Sequence, residues 1–302
     1  MSMIKRNRIK MKAVVCLVLL VATLFCQSCI RLEPDAEAPT TPPEEQGDVT
    51  QEPEHYYPNA VYVYSTDVDE DVLLTGLNPI YLILANKDVV LGTDYTPDNL
   101  SSIDNAYVAY WHHVTGLELE NRALQALYQM IQEMRADGID DMAVTSAYRS
   151  FERQKELFNL YVTEESSTIS PNAIKYLGEE YVQKHYYDQG KRALSIVDAL
   201  TVVRSYSAEP GTSEHQTGLC VDFITSTMQE LDNSFENTEA FAWLAKNAYK
   251  FGFVLRYPKG KEDVTGYIYE PWHYRFVGRE AATDMHYMGL TLEEYLLSAD
   301  ES

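Results

Sequence analysis

The apolar positions of this chain change rhythm several times. Ala13 to Phe25 form an apolar run of 13 residues without a charge, behind a basic start of Lys5, Arg6, Arg8, Lys10 and Lys12. A helix needs about 20 residues to cross a bilayer. Residues 1–28 therefore read as an export signal rather than a permanent span. From about Glu33 to Glu54 apolar residues almost vanish and Pro, Glu, Thr and Asp take over. Such a stretch cannot bury enough surface to offset chain entropy, so 29–55 reads as a disordered acidic tether. Tyr56 to Tyr64 is rich in Tyr and Val, either a strand or an ordered arm. Dense apolar content runs from near Leu73 to about Leu297, one domain's length, and 56–302 is assigned to that domain.

Within it, Ile80 to Ala85 reads as a short buried strand. Glu120 to Ala136 carries Leu124, Leu127, Ile131 and Met134 on one helical stripe, closed by Gly138. Met142 to Thr145 reads as a strand leading into a turn, and Ser150 as the N-cap of a helix bearing Leu157, Phe158 and Tyr161. A mostly polar insert, Thr163 to Ala208, follows as part helix and part loop. Thr238 to Phe251 reads as a helix with Phe241, Leu244, Ala245 and Ala248 inward, stopped by Gly252. Phe253 to Arg256 and Tyr267 to Tyr269 read as strands on either side of a Pro258-Lys259-Gly260 turn. Separate helices and short strands predict an α+β fold, a small mixed or antiparallel sheet with helices packed around it.

Charge and cysteine usage narrow the setting. The formal charge is −22, and removing the five basic residues of the export segment takes it to −27. Such a surface repels nucleic acid and anionic lipid. Three of four cysteines lie in or beside the export segment, leaving Cys220 alone in the domain with no partner for a bridge. Ser28-Cys29 loosely fits a lipoprotein cleavage site, while Cys26 and Gln27 fit it poorly. Lipidation at Cys29, plain cleavage nearby and an uncleaved signal anchor stay open. Each places the domain outside the cytoplasm, with the membrane touched only through the N-terminus.

The candidate chemistry lies in Ser213-Glu214-His215-Gln216-Thr217-Gly218-Leu219-Cys220-Val221-Asp222 and in Glu270-Pro271-Trp272-His273. Two imidazoles and a carboxylate, from His215, Asp222 and His273, suit Zn²⁺. Three protein ligands leave a fourth position for water, as in catalytic rather than structural sites. Zinc lowers the pKa of that water toward about 7 and polarises a carbonyl. Glu270, three residues before His273, is the candidate base. On a flat strand the two side chains would point to opposite faces, so a turn or bulge is required between them. Gly218 permits the tight turn that brings Asp222 back to His215. The other five histidines, His55, His112, His113, His185 and His286, read as ordinary structural ones.

Together with Ser146-Ala147-Tyr148-Arg149-Ser150, Gln154, and Tyr274-Arg275-Phe276-Val277-Gly278, these motifs resemble the VanY-type D-alanyl-D-alanine carboxypeptidases. The likeness runs from about Ile80 to Leu296. It implies one zinc ion held by His215, Asp222 and His273, and Glu270 as general base. It also implies that Arg149 acts on the substrate beside Gln154 and Ser213, through the terminal carboxylate or the oxyanion. Two residues depart from the family pattern. Ala147 stands where Gly is usual, which is tolerable if its φ is negative. Cys220 stands where a small apolar residue is usual and reads as a buried small hydrophobe, since a fourth ligand would close the site.

The expected protein is a monomeric exported enzyme removing the terminal D-alanine of peptidoglycan stem peptides. The alternatives are an L,D-carboxypeptidase on tetrapeptides and a non-catalytic wall-binding module; a D,D-dipeptidase fits the exported setting less well.

Overall fold

The computed structural model describes residues 60–109, 114–228 and 230–300. The export signal, the tether, Cys29, His55, His112 and His113 lie outside the described residues. The helices are α1 (Glu70–Leu73), α2 (Asn121–Ala136), α3 (Phe151–Ser167), α4 (Pro171–Leu177), α5 (Glu179–His185), α6 (Ile196–Val203), α7 (Glu239–Asn247), α8 (Glu262–Thr265), α9 (Arg279–Met288) and α10 (Leu292–Asp300). The strands are β1 (Leu100–Ser102), β2 (Glu118–Glu120), β3 (Met142–Ser146), β4 (Cys220–Thr225), β5 (Phe253–Leu255) and β6 (His273–Phe276).

β1 and β2 make a small antiparallel pair. The other four strands form one antiparallel sheet in the order β3-β4-β6-β5. The fold is α+β as expected. One face of the sheet buries Val144, Val221, Phe223 and Phe276 with the α2 stripe of Leu124, Leu127, Ile131 and Met134. α7 joins the same core through Leu244 and Trp243. Trp243, not Ala245, is the inward residue there, and its indole N–H donates to Asp137 at 2.7 Å. The insert holds a separate small core of Ala173, Tyr186, Leu194, Ala199 and Val202.

Two expected strands are absent. At Ile80–Ala85, Asn78 caps a 3₁₀ turn, Pro79–Tyr81, so the chain coils from the start. Its backbone then gives the carbonyls of Tyr81 and Ile83 to the Arg275 guanidinium, at 3.1 and 2.8 Å, rather than to a neighbouring strand. At Tyr267–Tyr269 the residues follow Gly266, which ends α8 in a left-handed conformation, and Tyr267 turns its hydroxyl to the Thr212 carbonyl at 2.8 Å.

The residues ahead of Leu73 pack against the rest of the domain. Val61 and Val63 face solvent while Tyr62 and Tyr64 pack inward as an arm. Tyr62 bonds Thr283 of α9 at 2.7 Å, and the Thr75 and Gly76 N–H groups each donate to Glu280 at 3.0 Å. Arg279 pairs with Glu70 at 3.0 Å. Buried Glu133 on α2 accepts from the Ser65 and Thr66 N–H groups and the Thr66 hydroxyl.

One glycine fixes the approach to the site. Gly218 ends the 3₁₀ turn Glu214–Thr217 at φ 66°. A Cβ there would stand 2.9 Å from a Leu100 methyl and 3.0 Å from the Pro97 ring. Left-handed backbone costs about 1–3 kcal/mol for an ordinary residue. Gly218→Ala is therefore expected to lower stability by about that much, read as a shifted midpoint in urea unfolding.

Candidate active site and metal centre

The site is assembled on the two middle strands. Register sets Asp222 of β4 directly opposite His273 of β6. On the other flank, a bulge between Val144 and Ser146 of β3 sets Ser146 opposite Asp222. His215 arrives from the 3₁₀ turn just before β4. Its Nδ1–H donates to the Ala147 carbonyl at 2.7 Å, which leaves Nε2 facing inward, 3.2 Å from Asp222 Oδ2. The other Asp222 oxygen stands 2.9 Å from His273 Nδ1. The three expected ligands thus meet in one buried spot. Ala147 does not have positive φ, so its departure from glycine brings no strain.

Glu270 reaches the same spot through a turn. The His273 N–H donates to the Glu270 carbonyl at 3.2 Å, and β6 begins only at His273. This turn carries Glu270 Oε2 to 3.9 Å from His273 Nδ1. The geometric objection to Glu270 is met by local backbone, with Pro271 lacking the N–H that a continuous ladder would use.

The electrostatics are those of a cation site holding protons. Burial opposes charge on Asp222, but His215 and His273 overcome it and keep the carboxyl far below its usual range. Burial likewise opposes charge on the imidazoles, yet a Cys220 thiolate and Asp222 push His215 up to about 9. His273 is raised well above its usual value, chiefly by Cys220 and Asp222 against burial. Glu270 is pushed up to about 7 by burial, against the pull of His273. A pocket that draws protons onto two histidines is one where a metal ion can replace them. The donor set fits zinc.

Behind His273 stands a residue to which the sequence pointed no role. Glu214 is fully buried, and its Oε2 accepts from His273 Nε2–H at 3.1 Å. Its Oε1 accepts from Arg256 Nε and Arg275 Nη1, both at 2.7 Å. Arg256 also makes a two-pronged bond to Glu293 of α10, at 2.7 and 2.8 Å. Burial opposes ionisation of Glu214, and the two arginines hold its pKa far below the ordinary carboxylate range. The carboxylate fixes the tautomer of His273, leaving Nδ1 for a metal. Its adjacency to His215 was the only available signal, and the chain carries 46 acidic residues.

The cleft over this centre has a volume of about 1,020 Å³ and includes Arg149, Ser213, Glu270 and the three candidate ligands in its lining. Arg149 is held by Gln154 Oε1 at 2.7 Å and by the Ser146 hydroxyl at 3.0 Å. Gln154 is buried behind it and donates onward to the Ala208 carbonyl at 2.7 Å. It supports Arg149 rather than lining the cleft. Ser213 lines the cleft, and its side chain does not cap the turn that follows. Tyr161, Tyr176 and Tyr206, around the insert, wall one side. His185 and His286 stack on Tyr181 and Tyr249 and do not line the cleft. Cys220 is buried, as expected, but its sulfur is grouped with His215 and His273 rather than with the core.

Residues 116–279 match the model of the VanY D-alanyl-D-alanine carboxypeptidase family. The chain belongs to that family. It is 36% identical over 215 residues to a D-alanyl-D-alanine carboxypeptidase of Enterococcus faecalis, covering 71% of this chain and 65% of that protein. Among solved structures, it resembles a vancomycin-resistance D,D-pentapeptidase VanY mutant in complex with Zn(II), with a TM-score of 0.52 and 34% identity over 72% of this chain and 99% of that one. The LdcB LD-carboxypeptidase gives a TM-score of 0.54 at 34% identity, covering 73% of this chain and 87% of that one.

Glu214 generates a paired expectation. Leaving a buried charge partner uncompensated costs about 3–5 kcal/mol, and losing an outer-shell partner weakens metal binding about 10–100-fold. Glu214→Gln is expected to show both, by urea unfolding and by competition with a zinc chelator. The folded pKa of Glu214 is depressed, so its contribution is present above the ordinary carboxylate range and lost as pH falls. The stability gap between the two proteins should therefore shrink as pH falls below that range.

Proposed function

We propose that this VanY-family chain is a zinc carboxypeptidase that removes the C-terminal D-alanine of peptidoglycan stem peptides outside the cytoplasm. The observation that carries the reading is the convergence of His215, Asp222, His273, Glu270 and Arg149 on one cleft. His215 Nε2, an Asp222 oxygen and His273 Nδ1 would hold the ion. When bound, zinc supplies Lewis acidity, polarising the scissile carbonyl and acidifying water. Glu270 takes a proton at its carboxylate and returns it to the leaving amine. Arg149, pre-set by Gln154 and Ser146, presents its remaining N–H donors to the terminal carboxylate or the developing oxyanion. Ser213 lies within the same cleft to contact the peptide.

The export signal at 1–28 and the tether at 29–55 would place the domain at the wall. Among the described residues no helix is long and apolar enough to cross a membrane. An L,D-carboxypeptidase acting on tetrapeptides is the second reading, favoured by the comparable likeness to LdcB. A non-catalytic wall-binding module would have no use for the complete set of ligands, base and arginine.

The deciding assay incubates the full zinc-loaded chain with defined penta- and tetrapeptides and weighs the products. Release of D-alanine from the pentapeptide supports the first reading; release from the tetrapeptide alone supports the second. No release from either, with stoichiometric zinc, defeats both. Glu270→Ala should abolish turnover and leave zinc bound. Arg149→Ala should lower kcat/KM by about 10²–10³, the loss typical of an oxyanion donor.

A further inference from the structure

Cys220 opens β4 two residues before Asp222. Residues two apart on a strand share a face, so Cys220 points where Asp222 points. Its neighbours Leu219 and Val221 point the other way, into the main hydrophobic core. Its side chain is wholly buried all the same. The sulfur and one ligand nitrogen from each of His215 and His273 all lie within 4.8 Å of one another. In a tetrahedral zinc site, nitrogen at about 2.0–2.1 Å and sulfur at about 2.3 Å from the ion stand about 3.5 Å apart. Closing the present spacing around an ion takes a movement on the order of 1 Å, within reach of a side-chain adjustment at the first residue of a strand.

We propose that Cys220 is a fourth protein donor to the metal, so that the resting centre is His215, Asp222, His273 and the Cys220 thiolate. The inference rests on zinc occupying the site assigned above and adds to it a ligand that the three-residue set lacks. With Asp222 and a thiolate both bound, the ion's two positive charges are matched by two negative ones. The ion is then held more firmly and acidifies water less. Zinc coordination expands from four to five, so substrate enters either as a fifth ligand or by displacing the sulfur. A thiolate also biases the site toward zinc and other thiolate-binding metals and away from Mg²⁺, Ca²⁺ and Mn²⁺.

X-ray absorption at the zinc edge on the full chain tests this without reference to turnover. A sulfur shell at about 2.3 Å beside the nitrogen and oxygen shell is expected in the wild type. In Cys220→Ser and Cys220→Ala the sulfur shell should vanish while zinc remains. Cobalt-loaded protein should show a near-ultraviolet sulfur-to-cobalt charge-transfer band that both variants lose. Zinc bound through nitrogen and oxygen alone overturns the inference and leaves the carboxypeptidase reading intact. A sulfur shell that persists in both variants overturns it too, by assigning the sulfur to another cysteine. A chain that takes up no zinc overturns both this inference and the zinc reading of the site.

Discussion

The centre of this molecule depends on one buried carboxylate. Glu214 has no access to water, and an unpaired charge there would cost several kcal/mol. It is tolerable because Arg256 and Arg275 donate to one of its oxygens and His273 to the other. Those partners come from different parts of the chain: Arg256 from just beyond β5, Arg275 and His273 from β6. Arg256 then holds α10 through Glu293, and Arg275 gathers the carbonyls of the Tyr81–Ile83 segment. The orientation of His273 and the docking of the last helix thus follow from a single charge-balance requirement.

The antiparallel ladder adds the second constraint. Strand residues opposite one another stand about 4.5–5.5 Å apart, so the Asp222–His273 register alone brings two candidate ligands together. His215 and Glu270 join them from turns adjoining those strands. The cleft's sides are lined by Arg149, on its Gln154 support, and by the tyrosines around the insert.

Much of this was legible in the sequence, for physical reasons. The α2 stripe, the Ser150 cap and the strand before it follow local rules of periodicity and capping, and all three are present. The candidate site was legible as two short motifs carrying two imidazoles and a carboxylate, and the structure brings His215, Asp222 and His273 together. What was not legible was long-range. Ile80–Ala85 has the apolar content of a strand, but its carbonyls are claimed by an arginine 194 and 192 positions from the two residues involved. Gln154 resembled a residue that contacts substrate, and only the packed structure shows it behind Arg149. The shared face of Cys220 and Asp222 follows from their spacing only once both are known to lie on one strand, β4.

The arm at Tyr62 to Gly76 has a wider consequence. Its bonds to Glu280, Arg279 and Thr283 join residues 204 to 221 positions apart. Such contacts close very long loops, and closing long loops is the slow, entropically costly part of folding. Tyr62, Thr75 and Gly76 gain these partners only once α9 has been made, whereas Ser65 and Thr66 can pair earlier with Glu133 of α2. The arm is thus a fastening between the N-terminal side of the domain and α9, with a second hold on α2.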